Sequence, residues 1–205
     1  MKPLIIIGSG GHAGVVIDAV KKAGMYSIVG LMDDFLPPGT MKHGCEVLGP
    51  VTEITSWTGS VFVAVGDING RQIIVNCLER YERDYANVIH PSANLAFDLL
   101  ARGIYVGPGA SIGPSCEIGS FAIVNTNASL DHDSCLGPFS HLAPNSATGG
   151  RVTIGSGTFI GVGACVRDGV KIGDNCVIGM GSVVTKNVTH NSIGYGNPFK
   201  CKSDI

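Results

Sequence analysis

Two short stretches of this sequence carry residue types that do chemistry. The first is Leu130-Asp131-His132-Asp133. A neutral imidazole can take a proton from an attacking amine or hydroxyl near neutral pH, and a neighbouring carboxylate can fix its tautomer and stabilise the imidazolium. Asp133 or Asp131 can fill that part. The same residues also read as an ordinary polar surface. The second stretch is Gly8-Ser9-Gly10-Gly11-His12-Ala13, which matches G-x-G-x-x-A. Glycines in this setting let backbone approach a diphosphate, and a helix beginning there offers N–H groups and a positive dipole end. Asp33, about 20 residues on, is placed to accept from a ribose or sugar hydroxyl. A plain tight turn is the simpler reading of the glycines, and a helix cap the simpler reading of His12.

The elements around the glycine loop supply the context it needs. Residues 4–7 read as a strand and 12–23 as a helix with Val15, Val16, Ala19 and Val20 on one face. Further strands are predicted at 27–32, ending at Asp33-Asp34, and at 61–65, ending at Gly66-Asp67. A second helix is predicted over 69–83 and a strand over 87–90, whereas 35–57 reads as irregular. Alternating strands and helices imply a small parallel sheet with covering helices, a Rossmann-like α/β domain over 1–86. NAD is the first ligand this fingerprint brings to mind. A sheet this small offers barely half of a two-lobed dinucleotide site, and a nucleotide-sugar needs only one half.

The first of these stretches, Leu130-Asp131-His132-Asp133, lies inside a repeat. Val106, Ile112, Ile118, Val124, Leu130, Leu136 and Leu142 fall in one register with a period of six. Ile154, Ile160, Val166, Ile172, Ile178 and Val184 continue it, and only Thr148 breaks the aliphatic series. Small or β-branched residues follow four positions later, among them Ala110, Cys116, Ser134, Ser140, Thr158, Ala164 and Cys176. Gly often follows the aliphatic, as in Ile112-Gly113 and Ile160-Gly161, which suits a corner needing open backbone angles. A period of six is not helical. It suits a short strand and a turn, repeated and stacked as a solenoid around a thin apolar column. With Leu130 pointing inward, His132 lies beyond the corner or on the wall.

Composition narrows the function further. Charged residues are 15% and the formal net charge is -2, so no basic patch points to nucleic acid. The 30 glycines are accounted for by the repeats rather than by a collagen period. The seven cysteines include no C-x-x-C pair, and Pro3 with the first strand follows Met1 too closely for a leader, so a reducing cytoplasm is expected. Apolar runs are strand-sized, and no membrane span is expected. Three histidines with metal-ligand spacing are missing, since His132 and His141 fall centrally in the repeats and His90 lies at their entrance. No metal is therefore assigned.

The hexapeptides resemble those of the acyltransferases whose triangular coils form a left-handed parallel β-helix. Together with Gly-Ser-Gly-Gly-His-Ala, Asp33-Asp34, Val65-Gly66-Asp67 and Arg71, the whole chain resembles one bacterial family. It comprises nucleotide-sugar N-acetyltransferases of the PglD type and sialic acid O-acetyltransferases of the NeuD type. The resemblance implies an N-terminal domain that holds the nucleotide-sugar and a β-helix, 87–205, that holds acetyl-CoA and builds a homotrimer. It implies substrate binding by Gly8, Gly10, Gly11, His12, Asp33, Asp34, Gly66, Asp67 and Arg71. It makes His132 the general base with Asp133 as its partner, where the family usually has Glu. Asn125 and His141 match residues lining the acetyl-CoA cleft, and the Gly150 amide falls at the thioester carbonyl. Gly161, Gly163, Ala164, Gly179 and Gly181 match the backbone along the pantetheine. Pro198 and Lys200 belong to an ending near the adenine, with Phe199 replacing the usual Ala.

The activity so implied is N-acetylation, by acetyl-CoA, of an amino sugar carried on a nucleoside diphosphate, expected to be a 4-amino-4,6-dideoxyhexose for surface glycan synthesis. Sialic acid O-acetylation and a non-catalytic nucleotide-sugar scaffold are the alternatives. Sequence does not choose among UDP, dTDP and GDP. Direct attack by the amine is expected, because no cysteine but Cys135 lies near His132 in the motif.

Overall fold

The computed structural model describes residues 1–97 and 101–202. The chain forms two compact units, Met1–Pro91 and Ser92–Ile205. Among the described residues, no helix is long and apolar enough to cross a membrane.

The first unit is built on β1 (Lys2–Ile7), a run of aliphatics in which Leu4, Ile6 and Ile7 are fully buried. A strand this apolar suits the middle of a parallel sheet. It lies between β2 (Tyr26–Met32) and β5 (Ser60–Val63), both parallel to it. A hairpin, β3 (Met41–Lys42) and β4 (Cys45–Gly49), extends one side, and β6 (Asp84–Tyr85) the other, giving the order β3-β4-β2-β1-β5-β6. Helix α1 (Gly11–Ala23) buries Ala13, Val16, Ile17, Ala19 and Val20, so the exposed Val15 is not on its core face. It ends at Gly24 in the left-handed region.

The span 35–57 is more regular than its sequence implies. It contains the β3–β4 hairpin and a 3-10 helix, Val51–Ser56. His43 and Gly44 are the two central residues of the turn, with φ of 51° and 75°. Two positive φ values make the primed turn that suits a hairpin, but His is not among its usual residues, so composition hides it. Helix α2 (Ile68–Leu78) stops short of the expected end. Arg83 lies beyond it, and its guanidinium donates to the carbonyls of Trp57 and Ile54.

The second unit is a left-handed parallel β-helix. Each two-residue strand pairs with the strand three hexapeptides later, as Ser111-Ile112 does with Ser129-Leu130. Three walls result. The first carries Ser129–Leu130 and Ala147–Thr148, the second Cys135–Leu136 and Thr153–Ile154, and the third Ile123–Val124 and His141–Leu142. The aliphatics at the period of six fill the interior, with Leu136, Leu142, Ile160 and Ile178 fully buried. The small residues are buried too, and their hydroxyls bond coil carbonyls: Ser140 Oγ donates to Gly155 O at 2.6 Å and Thr158 Oγ1 to Gly173 O at 2.7 Å.

The role of the glycines after the aliphatics differs from the expectation. The open backbone angles fall elsewhere, on Ser115, Phe121, Asn127, Asp133, Phe139, Asn145 and their equivalents. Gly113 and Gly161 instead permit coil stacking. A Cβ on Gly113 would lie 2.7 Å from His132 N, and one on Gly161 would lie 2.6 Å from Met180 N.

Candidate active site

The glycine loop joins β1 to α1 at the end of the sheet. Gly8, at φ +100°, needs the freedom of glycine, and a Cβ there would press on Val65 and Ala64. Gly10 and Gly11 face open space. Gly10 caps α1 with no side-chain hydrogen bond, and the first turn holds no acid. The N–H groups and positive end of α1 are thus left for an anion. The loop lines an open cleft of about 590 Å³ with His12, Asp33, Phe35, Leu36, Lys42, Ala64, Val65 and Gly66.

Asp33 is buried at the cleft wall. Its Oδ2 accepts from Ser9 Oγ at 2.6 Å and its Oδ1 from Phe35 N at 2.9 Å. His12 faces the cleft, and burial, with a smaller contribution from the Arg71 guanidinium, lowers its pKa to about 4. It is therefore neutral at physiological pH. Of the other expected substrate residues, Gly66 lines the cleft and Asp34, Asp67 and Arg71 do not. Asp34 is exposed and accepts from Val51 N at 2.8 Å. Asp67 caps α2 by accepting from Gly70 N at 2.7 Å. Arg71 is fully buried and donates to Val65 O at 2.7 Å and Gly66 O at 3.1 Å, which fixes the turn opposite the glycine loop. Burial lowers its pKa to about 10, so it stays charged.

In the β-helix, the corner after Ser129–Leu130 presents His132. Its Nδ1 lies 2.7 Å from Asp133 Oδ2, and both side chains are accessible. Asp133 takes the left-handed conformation of the corner at φ 54°, which Asp tolerates well. Nδ1–H donates to Asp133, leaving Nε2 as the acceptor. Asp131 serves the backbone instead, with Oδ1 accepting from His132 N at 2.8 Å. The main chain is held as well: His132 O accepts from Arg151 N at 2.8 Å and from Ser134 Oγ at 3.2 Å. On the next coil Gly150 faces the ring, where a Cβ would lie 2.5 Å from His132 Nε2. Among the described residues, Gly150 N–H donates to no carbonyl.

Thr148, the one polar break in the aliphatic register, also serves this corner. The amides equivalent to Asp131 N, at Gly113, Gly149 and Arg167, each donate to a carbonyl of the next coil. Asp131 N donates to Thr148 Oγ1 instead, at 3.1 Å. A hydroxyl stands in where the backbone ladder skips.

A second cluster sits on a different edge, the one following the third wall. Asn125 Oδ1 accepts from Thr126 N at 2.8 Å, which turns its Nδ2 toward His141 Nε2 at 3.1 Å. His141 is buried, with the Phe159 ring edge-on at 5.2 Å between centroids. Gly161, Gly163, Gly179 and Gly181 follow on the same edge as Asn125. A Cβ at Gly163 or Gly181 would meet open space, whereas one at Gly179 would meet Tyr195 at 2.7 Å. Ala164 is fully buried, main chain included. Pro198 and Lys200 line a separate cleft of about 400 Å³ with Phe199 and residues from Val184 to Ser192. One chain thus brings His132, Asp133 and Gly150 together, but not these with the Asn125 edge. Among the described residues, no three His, Cys, Asp or Glu gather as a metal site.

Sequence reasoning missed Ser9, Phe35, Leu36, Lys42 and His43. Only Ser9 had a signal, being inside the glycine motif. The others sit in the span that reads as irregular.

The family model of the PglD N-terminal domain matches residues 3–78, and that of the hexapeptide repeat of succinyl-transferase matches 151–186. A histidine-to-asparagine variant of perosamine N-acetyltransferase from Caulobacter crescentus, in complex with CoA and GDP-perosamine, is 35% identical with a TM-score of 0.92. That match covers 100% of this chain and 98% of the other. The acetyltransferase domain of PglB from Neisseria gonorrhoeae, in complex with acetyl coenzyme A, is 28% identical over 98% of this chain and 99% of that one, with a TM-score of 0.91. WeeI from Acinetobacter baumannii, 24% identical over 98% and 100% of the chains with a TM-score of 0.89, shares the fold. No curated protein sequence matches the chain.

Proposed function

The chain belongs to the hexapeptide-repeat sugar acetyltransferases of the PglD/NeuD type, and from that premise we propose that it acetylates the amino group of a nucleotide-linked amino sugar with acetyl-CoA. One observation carries the reading: the whole-chain likeness to an N-acetyltransferase whose structure holds CoA and GDP-perosamine. The His132–Asp133 pair above Gly150 supports it chemically.

The sugar amine attacks the thioester carbonyl, forming the C–N bond. His132 Nε2 removes the proton from the attacking nitrogen, and Asp133 keeps the imidazole in the tautomer with Nδ1–H. The Gly150 N–H donates to the oxyanion of the tetrahedral adduct. The adduct collapses with cleavage of the C–S bond, and the thiolate of CoA leaves and takes up a proton. No cysteine need intervene. The Cys135 thiol is pushed up by burial, then by Glu117 and Cys116, the opposite of what a nucleophilic thiolate needs. Cys135→Ala should retain most activity.

The N-terminal unit holds the nucleotide-sugar in the cleft at the glycine loop. The β-helix holds acetyl-CoA along the edge carrying Asn125, Gly163 and Gly181, with the adenine end toward Pro198 and Lys200. The His132 corner and the Asn125 edge meet only when a second copy supplies one of them, so the active assembly is a homotrimer with sites between subunits. Acetyl-CoA supply and seven free thiols suit the cytoplasm.

Thiol release from acetyl-CoA tests the reading across UDP-, dTDP- and GDP-linked amino sugars, with sialic acid in parallel. Turnover with an amine is expected. Turnover with sialic acid alone would replace this reading by O-acetylation.

A further inference from the structure

The β3–β4 hairpin touches the glycine loop through one side chain. His43 Nε2 lies 3.1 Å from Ser9 O and 3.1 Å from Gly10 O. One N–H is shared between two successive carbonyls. In a trans peptide the C=O and the following N–H point in opposite directions. Drawing both carbonyls toward His43 turns the amides of Gly10 and Gly11 to the other side. Room for the ring is built into α1: a Cβ on Gly14 would lie 2.9 Å from His43 Cε1 and Nδ1.

Lys42, the neighbouring residue, lines the cleft. Among the described residues that line it, Lys42 alone is cationic. Gly10 and Gly11, with no side chains, leave the space before the helix end open.

Resting on the functional reading above, we infer that the hairpin tip is the diphosphate clamp of the nucleotide-sugar site. Lys42 is the cation that meets the diphosphate, and His43 is a positioning residue that holds the loop amides toward it. A charge-assisted contact of this kind is worth roughly tenfold in affinity. Both residues belong to the N-terminal unit, whereas acetyl-CoA is held by the β-helix in this reading.

Calorimetric titration of the full-length protein with UDP, dTDP and GDP, each over a salt series, tests this, with acetyl-CoA as control. Lys42→Met should weaken the bound diphosphate roughly tenfold and flatten its salt dependence, because a screened ion contact is gone. His43→Ala should weaken it while keeping the salt dependence, and His43→Gln, whose amide N–H reaches the same carbonyls, should restore binding. In turnover, both losses should appear in KM for the nucleotide-sugar, with kcat and acetyl-CoA affinity unchanged. If Lys42→Met and His43→Ala bind within about twofold of the parent, the clamp is wrong although the functional reading stands. Loss of acetyl-CoA binding together with a lowered melting temperature would make His43 merely structural and overturn its positioning role. Failure of the parent to bind any of the three diphosphates would overturn the functional reading, and the clamp with it.

Discussion

Gly150 lies directly against the imidazole of His132, so close that a Cβ on it would fall 2.5 Å from Nε2. The nitrogen assigned as the base and the amide assigned to the oxyanion therefore share one small space on adjacent coils. Gly150→Ala should push the ring off its position and lower kcat by roughly 10²-fold or more, the scale at which misplacement of a catalytic group costs rate. The melting temperature should fall little, since the His132 side chain that must move aside is itself accessible. Unchanged kcat would remove Gly150 from the site.

His132→Ala should lower kcat by about 10²–10⁴-fold while KM for both substrates changes much less. Asp133→Asn should be milder, because it disturbs the tautomer and leaves Nε2 in place. Steady-state kinetics on the two variants decide the order. An Asp133→Asn defect larger than that of His132→Ala would reverse the roles.

His12 makes the fold sensitive to acid. Its pKa is lowered to about 4 in the folded chain by burial and Arg71, against an ordinary value of 6.5. Between those values the unfolded chain binds a proton that the folded chain refuses, so stability falls as pH drops from about 6.5 to about 4. The contribution is at most about 3 kcal/mol. His12→Gln should shrink the difference in melting temperature between pH 7 and pH 4.5. An undiminished difference would place the acid sensitivity elsewhere.

Thr148→Val keeps the shape of the coil and removes the acceptor of Asp131 N. Leaving that amide without a partner should cost about 1–3 kcal/mol. Chemical denaturation measures the loss, and kcat should fall with it because the same segment carries His132. Thr148→Ser, which keeps the hydroxyl, should recover both.

The sequence by itself determined the elements that obey a period. Six-residue spacing specifies a coil because the aliphatics at Leu130, Leu136 and Leu142 can share one interior only if the chain turns at each hexapeptide. The glycine loop and α1 were legible for the same reason: each residue type there answers a local backbone demand. Tertiary structure decided whatever depends on contact between distant segments. Of the two acids beside His132, spacing could not choose; the left-handed corner at Asp133 turns its carboxylate onto the ring and leaves Asp131 to the backbone. The glycines after the aliphatics looked like flexible corners, but the neighbouring coil is what forbids a side chain at Gly113. The resemblance marks Arg71 and Asp67 as substrate residues, and only the fold shows that Asp67 also accepts from Gly70 N and Arg71 also donates to Val65 O and Gly66 O. His43 carried no signal, because its partners Ser9 and Gly10 are brought to it only when β4 docks beside β2 in the folded sheet.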